Sequence, residues 1–200
     1  MRWHPALAGL AASLVGIGLA RFAYTPLIPA LIGAHWFAPA AVVYFGAANL
    51  AGYLVGALLA RRSLAWVPAF VVLRAMMVLA SLSFFASAAP VSVVWYFAWR
   101  LVSGICGGFI MVLAAPTVLP TVDPARRGLV SGLIFTGVGL GIGASGTMVP
   151  LLLRAGLAAT WCGLGVLSVA LTALAWGGWP RPAIANGVST AAPRRGGLLG

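Results

Sequence analysis

The stretch ALAGLAASLVGIGLARFAYTPLIPALI, Ala6–Ile32, decides the fold. It is apolar almost throughout, with one charge at Arg21. It also exceeds the roughly 20 residues that an α-helix needs to cross about 30 Å of hydrocarbon. A secretory leader has a shorter apolar core closed by a small-residue cleavage site, whereas this run meets Arg21 and continues, so it reads as a retained membrane helix. Five further apolar runs follow at Pro39–Ala60, Ala65–Ala88, Val91–Leu119, Arg127–Leu153 and Leu157–Trp179. The breaks are short: Gly33-Ala34-His35-Trp36, Arg61-Arg62-Ser63, Ala88-Ala89-Pro90, Thr121–Arg127 and Arg154-Ala155-Gly156. The expectation is an all-α fold, a polytopic transmembrane bundle of six spans over residues 1–180, with no soluble domain.

Composition agrees. Hydrophobic residues make up 62% of the 200 residues and charged ones 6%, against about 25% charged in soluble domains. The net charge of +11 comes from twelve arginines set against one acid, Asp123. A nucleic-acid binder concentrates basic residues on a water-facing stripe, while these arginines are scattered between apolar runs, so nucleic acid is excluded as a partner. Cys106 and Cys162 lie inside apolar segments without metal-ligand spacing and read as small buried side chains. No metal or cofactor is expected.

With the N-terminus in the cytoplasm, alternate connections place Arg2, Arg61, Arg62, Arg126, Arg127, Arg181, Arg194 and Arg195 inside and Arg154 outside. That asymmetry satisfies the positive-inside rule and puts both termini in the cytoplasm of a bacterial inner membrane. Trp3, Trp36, Trp66, Trp95, Trp161, Trp176 and Trp179 fall near span ends, where indole rings favour the headgroup region. Asp123-Pro124 reads as an N-cap followed by proline at the first helical position. Residues 181–200, rich in Pro, Gly and Ala, read as a disordered cytoplasmic tail or an interrupted linker.

Three arginines fall within the spans: Arg21, Arg74 and Arg100. A charge at mid-helix costs on the order of 2.5–3.5 kcal/mol on insertion scales and usually faces a cavity or the bundle interior. Arg21 and Arg100 are the best candidates for contacts to an anionic solute, since a guanidinium fork matches carboxylate or phosphate. Arg74 is a further cavity candidate; alternatively it snorkels or bonds to backbone carbonyls. Tyr24 follows Arg21 by about one turn and is read as sharing its face. Asn49 is the amide of the second span, either a cavity donor or interhelical glue. Pro26 and Pro29 free backbone carbonyls late in the first span.

Glycines at four-residue spacing let helices approach closely. Gly52 and Gly56, Gly104 and Gly108, and Gly137 and Gly141 are read as packing and gating positions. Gly143-Ala144-Ser145-Gly146 matches the GxSG pattern of rhomboid-type intramembrane serine proteases, which are also six-helix bundles. Such an enzyme needs a later histidine as base. The two histidines, His4 and His35, precede the serine near the ends of the first span, so the protease reading is rejected and no enzyme is expected.

The string Gly18-Leu19-Ala20-Arg21-Phe22-Ala23-Tyr24-Thr25-Pro26-Leu27 resembles the first helix of the major facilitator superfamily, in particular the RFxYTPLxP string of its YbfB/YjiJ-type branch. Arg100-Leu101-Val102-Ser103-Gly104 is similar to the superfamily's Arg-x-x-x-Gly motif, whose arginine is associated with substrate or proton coupling. Gly132–Pro150 resembles the Gly-rich antiporter motif without its usual Gly-Pro pair. Gly52 and Arg61-Arg62 resemble the cytoplasmic gating motif, with Gly56 in place of its acid. The resemblance covers all six spans and implies the N-terminal half of a major facilitator fold, a transporter built of two six-helix halves with the solute site between them. It implies secondary transport of a small solute across the bilayer, with a second six-helix half, a copy or a separate chain, as partner. The alternative is a truncated, non-transporting membrane protein or scaffold.

Overall fold

The structure is a computed structural model that describes residues 3–181. The expectation for the tail therefore lies, apart from Arg181, outside the described residues. Among the described residues, six helices are long and apolar enough to cross a membrane. They are α1 (His4–Gly33), α2 (Pro39–Ser63), α3 (Ala69–Ala86), α4 (Val93–Thr121), α5 (Pro124–Ala155) and α6 (Leu157–Ala175). Among the described residues there is no strand.

The ends follow local chemistry. Pro39 sits in the first turn of α2 and Pro68 caps α3, positions where a missing N–H costs nothing. The third span starts at Ala69, later than the hydropathy suggests, because Leu64–Val67 turn back on the Arg61–Ser63 carbonyls. Ser92 caps α4 by accepting from the Trp95 amide at 3.0 Å. Asp123 accepts from the Ala125 amide at 2.9 Å, with Pro124 opening the turn that leads into α5. Gly156, at φ +100°, makes the tight turn from α5 to α6 that a side-chain-bearing residue disfavours.

Helices α4 and α5 depart from α geometry only in short 3-10 turns at their ends, whereas α1 is irregular in its interior. Its Leu14–Leu19 segment is π-helical, and the helix breaks at Ala23 before restarting over Tyr24–Gly33. Two sequence features account for this. Gly16 and Gly18 lower the cost of the bulge, and the Pro26 ring removes the donor for the Phe22 carbonyl and crowds it. Pro26 then falls in the first turn of the restarted segment, where it is tolerated.

The α1 and α4 spans are the most buried of the six. Helices α2 and α4 meet along paired glycines: a Cβ on Gly52 or Gly56 would overlap the Leu101 or Ile105 carbonyl, and one on Gly104 or Gly108 the Asn49 or Tyr53 carbonyl. Similarly, α1 meets α5 where Gly18 faces Gly141 and Gly137 faces the Leu10 carbonyl. Small residues at these six positions and Gly18 thus set the distances between backbones.

Two apolar cores result. One joins Val15, Met77, Ile110, Leu113 and Ile134, and the other Leu27, Phe45, Phe84, Tyr96 and Trp161. Trp161 and Trp179 are buried in these cores and do not belong to an interfacial belt; Trp161 packs on Phe84 and Tyr96. Between the cores lies a layer of glycines and polar side chains.

Candidate functional site

The polar layer holds Asn49, Arg100, Ser103 and Ser145, all buried. It is organised around the irregular part of α1. The Ala20 carbonyl accepts from Arg100 (3.1 Å) and Ser103 (3.4 Å), and the Gly18 carbonyl accepts from Ser145 (3.2 Å). Thus α4 and α5 supply side-chain donors where α1 departs from regular geometry. Asn49 of α2 donates to the Arg100 carbonyl at 3.2 Å, so Arg100 links α1, α2 and α4. A second polar cluster ties α3 to α6 through Ser81 and Ser168, 2.8 Å apart, with Thr172 beside them.

Arg100 and Arg21 occupy different environments. Arg100 is 2% exposed, and its guanidinium stands over the Tyr24 ring at 4.5 Å. Tyr24 in turn donates to the Val42 carbonyl of α2 at 2.6 Å. Tyr24 therefore serves Arg100, whereas Arg21 meets other rings, contrary to the expectation that Tyr24 and Arg21 work on one face. Arg21 is only partly buried. Its guanidinium lies 5.4 Å from the Tyr53 ring centroid and 5.7 Å from that of Phe22. Thr25, one turn on, faces outward.

Tyr53 is absent from the sequence-based candidates. Its signal was its position four residues after Asn49, which places both on one side of α2. Arg74 lies elsewhere, between α3 and α6, donating to the Trp176 carbonyl between the rings of Phe70 and Trp176. Of the two readings open for it, carbonyl bonding is the one the structure displays. Ser145, the serine of the GxSG match, spends its hydroxyl on the Gly18 carbonyl. His4 lies at the start of α1 and His35 beyond its end.

The outer face of α5 is bare. A Cβ added at Gly128, Gly132, Gly139, Gly143 or Gly146 would meet nothing within 4 Å. These positions recur at helical spacing, so α5 carries two glycine stripes: one packed on α1, the other open.

The bundle's ends also differ in charge. Arg126 and Arg181 line one cleft with His4 and Asp123, and Arg181 also neighbours Leu64, which follows Arg61 and Arg62. The opposite end, around Ala34, Trp36 and Gly156, adjoins Arg154.

Comparison with curated proteins and with solved structures gives no match. A family pattern does match, over residues 13–197 and so over all but the first turns of α1. Together with six apolar spans around a polar mid-layer, that match makes this chain a multi-pass membrane protein belonging to the major facilitator family described as "Uncharacterised MFS-type transporter YbfB".

Proposed function

We propose that this transporter moves a small anionic solute, and that the face carrying Arg21, Tyr53 and Thr25 forms one wall of its path. The observation that carries this reading is Arg21 itself: a mid-span guanidinium, partly open and held by aromatic faces rather than by a carboxylate. Such a group keeps its donors available to a carboxylate or phosphate. Arg100, Tyr24 and Asn49 stand behind this wall, adding positive field and fixing the broken segment of α1 to which Arg21 belongs.

A single wall does not give alternating access. We infer a second six-helix half, whether a copy, a separate chain or further sequence, seated over the Arg21 face and the open glycine stripe of α5. The arginine-rich end, with Arg61, Arg62, Arg126, Arg127 and Arg181, faces the cytoplasm of a bacterial inner membrane under the positive-inside rule. The packed glycines at Gly52, Gly56, Gly104, Gly108, Gly137 and Gly141 then act as the contacts that keep each half rigid while the halves rock.

The test is thermal unfolding of the purified chain against a panel of small carboxylates, phosphates and neutral analogues. An anion that raises the midpoint for the native chain, with the rise lost in Arg21→Gln, supports the reading. Stabilisation by neutral solutes alone, or an anion effect unchanged in Arg21→Gln, counts against it.

A further inference from the structure

Hydrogen-bond accounting in the polar layer leaves a surplus of donors beside Arg100. One guanidinium nitrogen serves the Ala20 carbonyl, but Nε is buried without an acceptor. One turn earlier on the same face of α4, Tyr96 is 0% exposed and its hydroxyl is unpaired. Trp161 of α6 is 1% exposed and edge-on to Tyr96, with ring centroids 6.0 Å apart. Its indole N–H is likewise buried and has no hydrogen-bond partner. The Arg100 guanidinium stands over the Tyr24 ring at 4.5 Å and, four residues from Tyr96, shares that residue's side of α4.

The charge is equally unbalanced. The only acidic side chain in the sequence is Asp123, which caps the turn before α5. No carboxylate in the spans neutralises the enclosed guanidinium, and an unpaired buried charge is costly. A water molecule at this place would receive from Nε–H and the indole N–H and could give one hydrogen to the Tyr96 oxygen, but its second hydrogen would find no acceptor among these three groups. The unpaired groups are an N–H of arginine, an N–H of indole and one hydroxyl, three donors against the single acceptor of the hydroxyl oxygen, and none of them offsets the positive charge. A small anion accepts from every side and neutralises the charge as well.

We propose that Arg100, Tyr96 and Trp161 hold a resident inorganic anion of halide size inside the bundle, between α4 and α6. This site differs from the wall proposed for the transported solute, since its residues are closed off while Arg21 is open. It does not depend on the transport reading.

The test uses the full chain in detergent with bromide as the probe and gluconate as the control, at equal ionic strength. Unfolding is followed by the reactivity of the buried Cys106 thiol in a Cys162→Ala background. Bromide is expected to raise the midpoint by on the order of 5 °C. Tyr96→Phe with Trp161→Phe should abolish that rise, whereas Arg21→Gln should leave it intact. Equal midpoints in the two salts for the native chain would overturn the proposal, as would a rise that persists in the double variant. Should the double variant not fold, bromide anomalous diffraction from the native chain decides. A peak beside Tyr96 and Arg100 supports the site; its absence overturns it.

Discussion

Arg21 and Arg100 are both mid-span arginines, and the sequence offers the same argument for each. Their surroundings separate them: Arg100 is locked to the Ala20 carbonyl and the Tyr24 ring, while Arg21 rests on Tyr53 and Phe22 at the edge of the bundle. The difference lies in what each guanidinium meets on neighbouring segments, which no periodicity argument fixes. At this scale Asn49→Leu should lower stability by about 1 kcal/mol, because it removes one interhelical bond to the Arg100 carbonyl and leaves that oxygen's helix contacts in place. Denaturation in mixed micelles measures this. Asp123→Ala should cost about 1 kcal/mol through loss of the cap on the turn into α5, read in the same assay.

Among the elements, α2 and α4 show how much glycine spacing says in advance. Gly52/Gly56 and Gly104/Gly108 are legible as close-packing pairs, and the structure seats each against a neighbouring backbone carbonyl. The glycines of α5 are less legible, since Gly137 and Gly141 pack on α1 while Gly139 and Gly143 face outward. Sequence density alone does not sort the two stripes. Their difference gives a paired prediction. Gly104→Ala should destabilise the chain by about 1–3 kcal/mol, because its methyl group meets the Asn49 carbonyl. Gly143→Ala should leave the stability of the single chain unchanged within about 0.5 kcal/mol, yet should weaken assembly if a second half docks there. Melting curves check the first two statements and co-purification the third.

For the whole molecule, hydropathy is enough to find six spans, because an apolar run of membrane length has few alternatives. The family was legible in the α1 string, and the match over residues 13–197 gives it independent support. The layering was not legible. Two apolar cores separated by a band of glycine, serine, asparagine and arginine emerge only when six helices are aligned in depth. Tyr53, Tyr96 and Trp161 were missed for the same reason: each gains its meaning from a residue on another helix.

The central claim is that the Arg21 face borders a watery path and does not face lipid. It is tested by thiol accessibility in membrane vesicles, in a background lacking Cys106 and Cys162. Thr25→Cys, one turn from Arg21, is compared with Val166→Cys on the outer face of α6. The account predicts that a membrane-impermeant thiol reagent modifies Thr25→Cys readily and leaves Val166→Cys untouched. Equal resistance at both positions would contradict it.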